Sequence, residues 1–228
     1  HDLESVPGVI LIKATDANED WVMYHLGNVA KDGSTFTGQS QRLKLNSDSS
    51  TTTDSTVWNN TAPTSSVFSI GTNDRVNTDE QNYIAYLFAN NEASFGEGGD
   101  QPIIKCGNWT GDNSYSKDIS LGFEPQWLLV KQASGGGSWT ITDSMRGIPN
   151  ETAGTIKQLA PDQTWSESDF DNNMGPMEIN LTANGFTLKD NSSVWNGNNE
   201  NYIYIAIRSA TGTVTRPPEL GSDCFQMA

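Results

Sequence analysis

This chain of 228 residues has few of the side chains on which most enzyme chemistry depends. It contains two histidines and two cysteines. No Gly-x-Ser-x-Gly elbow and no Cys/His cluster with metal-ligand spacing occurs in the sequence. The triplet GGG at residues 135–137 is not followed by Lys-Ser or Lys-Thr, as a phosphate-binding loop requires. We therefore predict no catalytic residue, no cofactor and no metal, and we expect His25 to be a strand residue rather than a base.

Positive charge is also scarce, with 13 Lys and Arg against 28 Asp and Glu and a formal net charge of -15. Binding to phosphate groups needs clustered Lys and Arg, so this composition argues against nucleic acids and anionic membrane surfaces as partners. No apolar run approaches the roughly 20 residues of a membrane-spanning helix. The first residues, HDLE, lack the character of a signal peptide.

Two further kinds of site are weakly indicated. Cys106 and Cys224 are far apart and too few to form a disulfide framework, which leaves their pairing open. Residues 16–20 and 169–173 place oxygen-bearing side chains at alternate positions, as a calcium loop does at its start. Both stretches lack the Gly at the sixth position and the Glu at the twelfth that complete such a loop. Carboxylates from separate loops remain a second route to a calcium site.

The main signal in the sequence is an internal repeat. VPGVILIK at residues 6–13 returns as EPQWLLVK at residues 124–131, a spacing of 118 measured from Pro7 to Pro125. Other pairs with this spacing, or with one residue more, are Trp21 and Trp139, Phe68 and Phe186, Ile70 and Leu188, and the NYI triplets that start at Asn82 and Asn201. A repeat of this length indicates a duplicated structural unit.

The repeated segments have the apolar patterns of β-strands. The predicted strands are residues 9–13, 21–25, 42–46, 66–70 and 83–88 in the first half, and residues 103–109, 127–131, 138–142, 177–180, 186–188 and 202–207 in the second. Polar turn-rich segments separate them, and amphipathic helical patterns are missing. This predicts an all-β fold of two tandem, related, antiparallel β-sandwich-like units with little helix.

The repeat also predicts the domain organisation. Residues 1–89 form the first β unit, residues 90–102 a connector, residues 103–208 the second β unit, and residues 209–228 an extended C-terminal tail. We expect residues 83–88 to be a central strand. The first unit lacks a counterpart of the strand at 103–109, so we expect either that the chain is cut from a longer protein or that another chain supplies the strand. An unpaired sheet edge would otherwise favour aggregation.

Two Trp-Asn pairs in polar loops, Trp58-Asn59 and Trp195-Asn196, are the candidate ligand-binding residues. In the functional interpretation the indole stacks on a sugar face while the Asn side chain reaches the sugar hydroxyls. In the structural interpretation each Trp anchors its loop onto the sheet below, as buried Trp often does, and we favour this one. Asp143 and Arg146 are expected to form a loop-bracing salt bridge.

Several motifs resemble a repeated module of phage virion structural and tail-fibre proteins, many of them from marine phages and cyanophages. The matching segments are WNNTAPTSSVF (58–68), NYIAYLFA (82–89), GFEPQWLLVK (122–131), Trp139 with Asp143 and Arg146, NGFTL (184–188), YIYIAIR (202–208) and PPELGSDCF (217–225). The first of these is specific, whereas the strand patterns alone are not. The family supplies no agreed catalytic residues.

The resemblance implies a non-enzymatic virion surface protein, a tail-fibre or spike segment for host attachment with glycan binding as one mode. It implies a location on the tail fibre or capsid exterior after assembly in the bacterial cytoplasm. The expected partners are other virion proteins, a host cell-surface glycan and, by analogy with fibres, two further copies in a homotrimer. The first alternative is a capsid or tail decoration protein without a ligand. The second is an enzyme that cleaves host polysaccharide with two facing carboxylates.

Overall fold

The computed structural model describes residues 1–28, 38–91, 95, 99–148, 156–167, 178–189 and 194–209, which are almost wholly β. The first half contains β1 (Pro7–Ala14), β2 (Val22–His25), a short 3-10 helix (Gly38–Ser40), β3 (Gln41–Lys44), β4 (Thr52–Thr53) and β5 (Tyr83–Ala89). The second half contains β6 (Ile104–Thr110), β7 (Lys117–Ser120), β8 (Pro125–Gln132), β9 (Thr140–Asp143), β10 (Ile179–Thr182), β11 (Gly185–Leu188) and β12 (Asn201–Arg208). The predicted all-β class with little helix is confirmed.

These strands form three antiparallel sheets. Sheet one has the order β4-β3-β2-β1-β5, sheet two the order β6-β12-β8-β9, and sheet three the order β10-β11-β7. The predicted connector at residues 90–102 thus lies between the last strand of sheet one and the first strand of sheet two. Over the described residues, no helix has the length and apolarity to cross a membrane.

The internal repeat is visible in the strand register. Ile10 of β1 lies opposite Tyr24 of β2 and Leu87 of β5. Leu128 of β8, 118 residues later, lies opposite Thr142 of β9 and Ala206 of β12, which are 118 and 119 residues beyond those partners. Both β1–β5 and β8–β12 also have an irregularity beside the repeated proline. The two halves therefore share one strand arrangement, β2-β1-β5 in the first and β9-β8-β12 in the second.

The repeated lysines have one structural role in both halves. Lys13 Nζ donates to the carbonyls of Ala14 and Ala17, at 2.8 and 3.2 Å. Lys131 Nζ donates to the carbonyls of Gln132 and Gly135, at 2.6 and 3.3 Å. Each ammonium group therefore binds the loop that follows its own strand, and the lysines repeat because both hairpins need this bond.

The two units pack against each other through the same face of each sheet. The cluster between sheets one and two consists of Val9, Leu11, Met23, Leu43, Cys106, Leu129, Ala133, Trp139, Ile203 and Ile205. Leu11 and Leu129 hold the same position in the repeat, as do Val9 and the partly buried Trp127. On its other face, sheet two packs against sheet three around Trp109, and sheet one packs against a loop layer that contains Val57, Trp58 and Val76. The molecule is layered, with one core shared by both units.

Two sequence predictions about the first unit are wrong. Residues 66–70 form no strand, although their counterparts in β11 do. β11 has β7 as a partner, and in the part of the chain that the structure describes no strand takes that place beside residues 66–70. β5 is an edge strand rather than a central one within the described residues, where it pairs with β1 and with no second strand. The strand β7 itself was missed, since its short polar sequence has little apolar alternation.

Some predictions concern residues that lie, in whole or in part, outside the described ranges. Cys106 is buried, but Cys224, its proposed disulfide partner, lies outside the described residues, as does the tail after residue 209. The calcium-like stretch at 169–173 and the start of the strand predicted at 177–180 also lie outside them.

Candidate functional site

Trp58 is buried, with 1% of its surface exposed. Its indole Nε1 donates to the Gln41 carbonyl at 3.0 Å, and its ring meets the Tyr24 ring edge-on with centroids 5.7 Å apart. The side chain therefore anchors the loop above sheet one, and neither ring face is open to a sugar. This placement favours the structural interpretation of Trp58.

Asn59 is exposed and has a φ of 51°, in the left-handed region that Asn tolerates better than most residues. Its carbonyl accepts a hydrogen bond from Thr61 Oγ1 at 2.9 Å. The geometry of Asn59 is that of a turn residue, which explains why Asn follows the buried Trp58.

Trp195 and Asn196 are also buried, with 1% and 0% exposed. The Trp195 carbonyl accepts from Trp109 Nε1 at 3.0 Å, and the two indoles stack with centroids 6.3 Å apart. Asn196 Nδ2 donates to Asp112 Oδ1 at 3.1 Å and to the Ser114 carbonyl at 2.8 Å, while its Oδ1 accepts from the Asp112 amide. These bonds hold the 112–114 loop, so the Asn196 side chain is not presented to a ligand.

The structure does not bring the four predicted site residues together. Trp58 belongs to the cluster outside sheet one and Trp195 to the cluster between sheets two and three. Of the four, Asn59 alone is exposed. A glycan site built on these two indoles would require both loops to leave the core, and glycan binding by the protein stays a prediction that needs other residues.

The carboxylates of the first calcium-like stretch bind protein groups. Asp16 accepts from the Asn82 side chain at 2.7 Å, a bond that lowers the pKa of its carboxyl. Asp20 accepts from Lys44 at 2.7 Å, Arg75 at 3.1 Å and Asn46 at 3.1 Å. Partial burial raises the pKa of Asp20, but these three donors outweigh it and bring the pKa to about 2. Among the described residues, no group of three His, Cys, Asp or Glu side chains is arranged to hold a metal ion.

The predicted Asp143–Arg146 pair is present. Asp143 is fully buried and also accepts from the backbone amides of Met145 and Arg146, each at 3.0 Å. Arg146 also forms a salt bridge with Glu167, with 3.0 Å between Arg146 Nε and Glu167 Oε1. The carboxylate thus closes the turn after β9 and binds the guanidinium, as expected for a loop-bracing pair.

An aromatic pair that the sequence did not reveal lies on the surface of sheet one. Trp21 and Tyr86 have ring centroids 6.2 Å apart, tilted by 30°. Tyr86 is 46% exposed, and Ile84 on the same face of β5 is 40% exposed. The Trp21 amide donates to Asn46 Oδ1 at 3.0 Å, which places an amide side chain beside the pair. Tyr86 is exposed and Trp21 is half-buried, so an aromatic ring is available for stacking on a ligand. The Asn46 side chain is held by the Trp21 amide and by Asp20.

A second opening lies between sheets one and two. It is a cavity of about 380 Å³, and every residue that lines it is apolar or aromatic, including Leu11, Phe88, Trp127 and Ile205. Such a site can admit an apolar group, but it lacks the convergent polar groups that orient a polar substrate.

Three buried titratable groups have pKa values that fit structural roles. Burial lowers the pKa of His25 to about 4, although a hydrogen bond to the Tyr204 carbonyl opposes this change. Burial also lowers the pKa of Lys131 to about 8, against the attraction of Asp162 and Asp48. The Cys106 thiol has a pKa raised to about 12 by burial, so it is not a reactive nucleophile.

Comparison with known proteins adds one finding. A family model described as a domain of unknown function, DUF7483, matches residues 1–210. No curated protein and no solved structure matches the chain. The match spans both β units. The chain belongs to the DUF7483 family.

Proposed function

We propose that this protein is a virion surface protein, a tail-fibre or spike-type segment, that takes part in host attachment without catalysing a reaction. The segments at 58–68 and 122–131, which resemble the phage virion module, support this proposal. A layered β scaffold with one shared core also fits, since such a scaffold can present a fixed surface. Fold alone would not be sufficient, because unrelated functions share β-sandwich architectures.

The observation that carries the proposal is the surface pair of exposed Tyr86 and half-buried Trp21. Trp58, Trp139 and Trp195 are almost completely buried, so their rings cannot contact a ligand without unfolding. The Trp21–Tyr86 pair instead projects from sheet one beside Asn46. We assign glycan contact to this pair in place of the two buried Trp-Asn loops.

Binding of the labelled protein to a glycan array and to intact candidate host cells tests the assignment. Tyr86→Ala and Trp21→Ala are expected to weaken binding about tenfold or more, as loss of a central aromatic contact usually does. Tyr115→Ala is the matched control, because Tyr115 is 63% exposed and lies between β6 and β7 in the second unit. Equal binding by all three variants would contradict the assignment of the pair.

The decoration role without a ligand is the second candidate, and the exposed apolar side chains of Val67, Ile70 and Ile84 favour it. Such side chains are suited to contact with a neighbouring virion protein. Absence of binding by the wild-type protein to glycans and cells would favour this role. Localising the chain in virion density would distinguish a fibre tip from a shell, and sedimentation would test the proposed homotrimer. Release of reducing ends from host polysaccharide would contradict the non-enzymatic part of the proposal.

A further inference from the structure

The apolar cavity between sheets one and two is lined by equivalent residues of both units. Leu11 of β1 and Leu129 of β8 line it, and they hold the same position in the repeat, 118 residues apart. Phe88 of β5 and Ile207 of β12 also line it, 119 residues apart, which is the offset of the two NYI triplets. The cavity therefore lies where the two units meet, and corresponding strands form its walls.

The core around the cavity is tightly packed. In the same cluster, Val9, Met23 and Ile203 are all 0% exposed. Protein interiors contain few voids larger than a water molecule. A volume of about 380 Å³ is instead within the range of small-molecule pockets. The space is thus better explained as a binding site than as a general looseness of the core.

The lining determines which chemistry the cavity accepts. The described residues that form it are Leu11, Leu45, Phe88, Trp127, Leu129, Ile141, Pro161, Ile205 and Ile207. None of these has a charged, hydroxyl or amide side chain, so ordered water would find few hydrogen-bond partners there. Most are Leu or Ile, whose branched ends form an irregular aliphatic wall. At the packing density of a protein interior, the volume corresponds to an aliphatic chain of roughly ten carbon atoms.

One wall of the cavity continues to the protein surface at the aromatic pair. Tyr86 lies opposite Leu11 in the β1–β5 ladder and is two residues before Phe88, on the same face of β5. The Leu45 amide, on the β3 side of the cavity, donates to the Trp21 carbonyl at 3.1 Å. Because Tyr86 is 46% exposed, a molecule in the cavity can place a polar end in solvent beside this ring.

The charge of the protein favours a polar end without negative charge. The formal net charge is -15, and the field of such a protein repels anions. Beside Trp21, Asp20 forms salt bridges with Lys44 at 2.7 Å and with Arg75 at 3.1 Å. These two cations are therefore already neutralised within the protein, and an anionic head would have to compete with Asp20 for them.

We propose that the cavity binds one unbranched aliphatic chain of an amphiphile with an uncharged polar head, and that the head lies at the surface beside Tyr86. Leu11 contacts the chain from sheet one and Leu129 from sheet two. Removal of the chain from water supplies the affinity, as expected for an apolar cavity that is already formed. The proposal does not depend on host attachment or on glycan contact, because the walls of the cavity recognise the chain rather than the head.

The probe is n-decyl β-maltoside, kept below its critical micelle concentration and added to the full chain. Methyl NMR spectra are expected to show saturable one-to-one shifts at Leu11, Leu129 and Ile205. Free maltose, which lacks the chain, is expected to leave these methyl signals unchanged. Decanoate, which has an anionic head, is expected to bind about tenfold more weakly or worse.

Two variants fill the cavity from its half-buried wall. Ile207→Trp and Ile141→Trp are each expected to weaken binding of the maltoside about tenfold or more, because the indole occupies the space of the chain. Leu181→Trp is the matched control, since Leu181 is also half-buried but lies in β10 of sheet three. Circular dichroism verifies the fold of each variant, and the second filled variant is available if one does not fold.

Unchanged methyl signals at Leu11 and Leu129, or equal binding by the wild type and the filled variants, would overturn the proposal. Binding that appears only after deletion of residues 210–228 would assign the cavity to that segment, and dimers that the maltoside dissociates would assign it to a second copy; both outcomes also overturn it. Equal or tighter binding of decanoate would overturn the uncharged head. A negative glycan array would contradict glycan contact but would not change these methyl shifts, so the two failures are distinguishable.

Discussion

His25 joins sheet one to sheet two, and its burial makes stability depend on pH. His25 Nδ1 accepts from the Gly27 amide at 3.0 Å, so the ring proton lies on Nε2 and is donated to the Tyr204 carbonyl, also at 3.0 Å. The ring is 1% exposed, and burial lowers its pKa from 6.5 to about 4. Protonation would place a charge in the core and turn Nδ1 into a second donor facing the Gly27 N–H.

The sign of the pH effect follows from this lowered pKa. Between pH 6.5 and pH 4 the unfolded chain binds a proton at His25 that the folded chain excludes, so stability falls as the pH falls. With a pKa of about 4 in the folded chain against 6.5 in the unfolded chain, the effect is limited to roughly 3 kcal/mol, and between pH 7 and pH 4.5 the loss is roughly 2 kcal/mol. Asp20, with a pKa of about 2, loses its own contribution only below the unfolded value of 3.8.

Urea unfolding of the wild type and of His25→Gln at pH 7 and pH 4.5 measures this contribution. Gln retains one donor and one acceptor but does not titrate, so the loss of stability of His25→Gln on acidification is expected to be roughly 2 kcal/mol smaller than that of the wild type. Asp162, whose pKa is raised by burial, is common to both chains and cancels in the comparison. NMR titration of the wild-type imidazole gives an independent readout. A ring that titrates near pH 6.5 in the folded protein would refute the reasoning.

Two further predictions concern the aromatic and amide groups of the second unit. Trp109→Ala is expected to lower the free energy of unfolding by about 3–5 kcal/mol, because it opens a cavity beside Tyr202 and Phe186, whereas Tyr115→Ala should change it by less than about 0.5 kcal/mol. Urea titrations compare the two variants, and similar effects would contradict the importance of the Trp109 contacts. Asn196→Ala removes three hydrogen bonds to the 112–114 loop and is expected to cost about 2–3 kcal/mol. Asn59→Gly, which keeps a φ of 51° accessible, should stay within about 0.5 kcal/mol of the wild type in the same urea titrations. An equally small loss in Asn196→Ala would show that the loop does not need the Asn196 hydrogen bonds.

The strand arrangement could be predicted because the sequence contains it twice. Pro7 and Pro125 have nearly the same spacing as the two NYI triplets, which requires equal strand registers if both halves fold alike. The strand partners of Ile10 and those of Leu128 are equivalent residues of the repeat, which confirms the equal registers. Alternating or continuous apolar segments were then sufficient to place most of the strands.

Repeat spacing and apolar patterns could not predict the position of β5 in its sheet or the contact between Trp21 and Tyr86. Whether a strand is central depends on its neighbours, and the apolar sequence of β5 is the same with or without a strand at its outer edge. Trp21 and Tyr86 approach each other across β1, a relation that no local pattern reports. The burial of Trp58 could be predicted, because a single large ring in a polar loop usually packs onto the sheet below it.

The shared core between sheets one and two has a consequence for the integrity of the chain. Val9, Leu11 and Met23 are covered by Leu129, Ile203 and Ile205, so each half shields the apolar face of the other. A protease that cut within residues 90–102 would leave two fragments held together rather than two independent domains. A single unit expressed alone would have to pair with its own copy through that face. The fold therefore resembles a twofold dimer contained within one polypeptide.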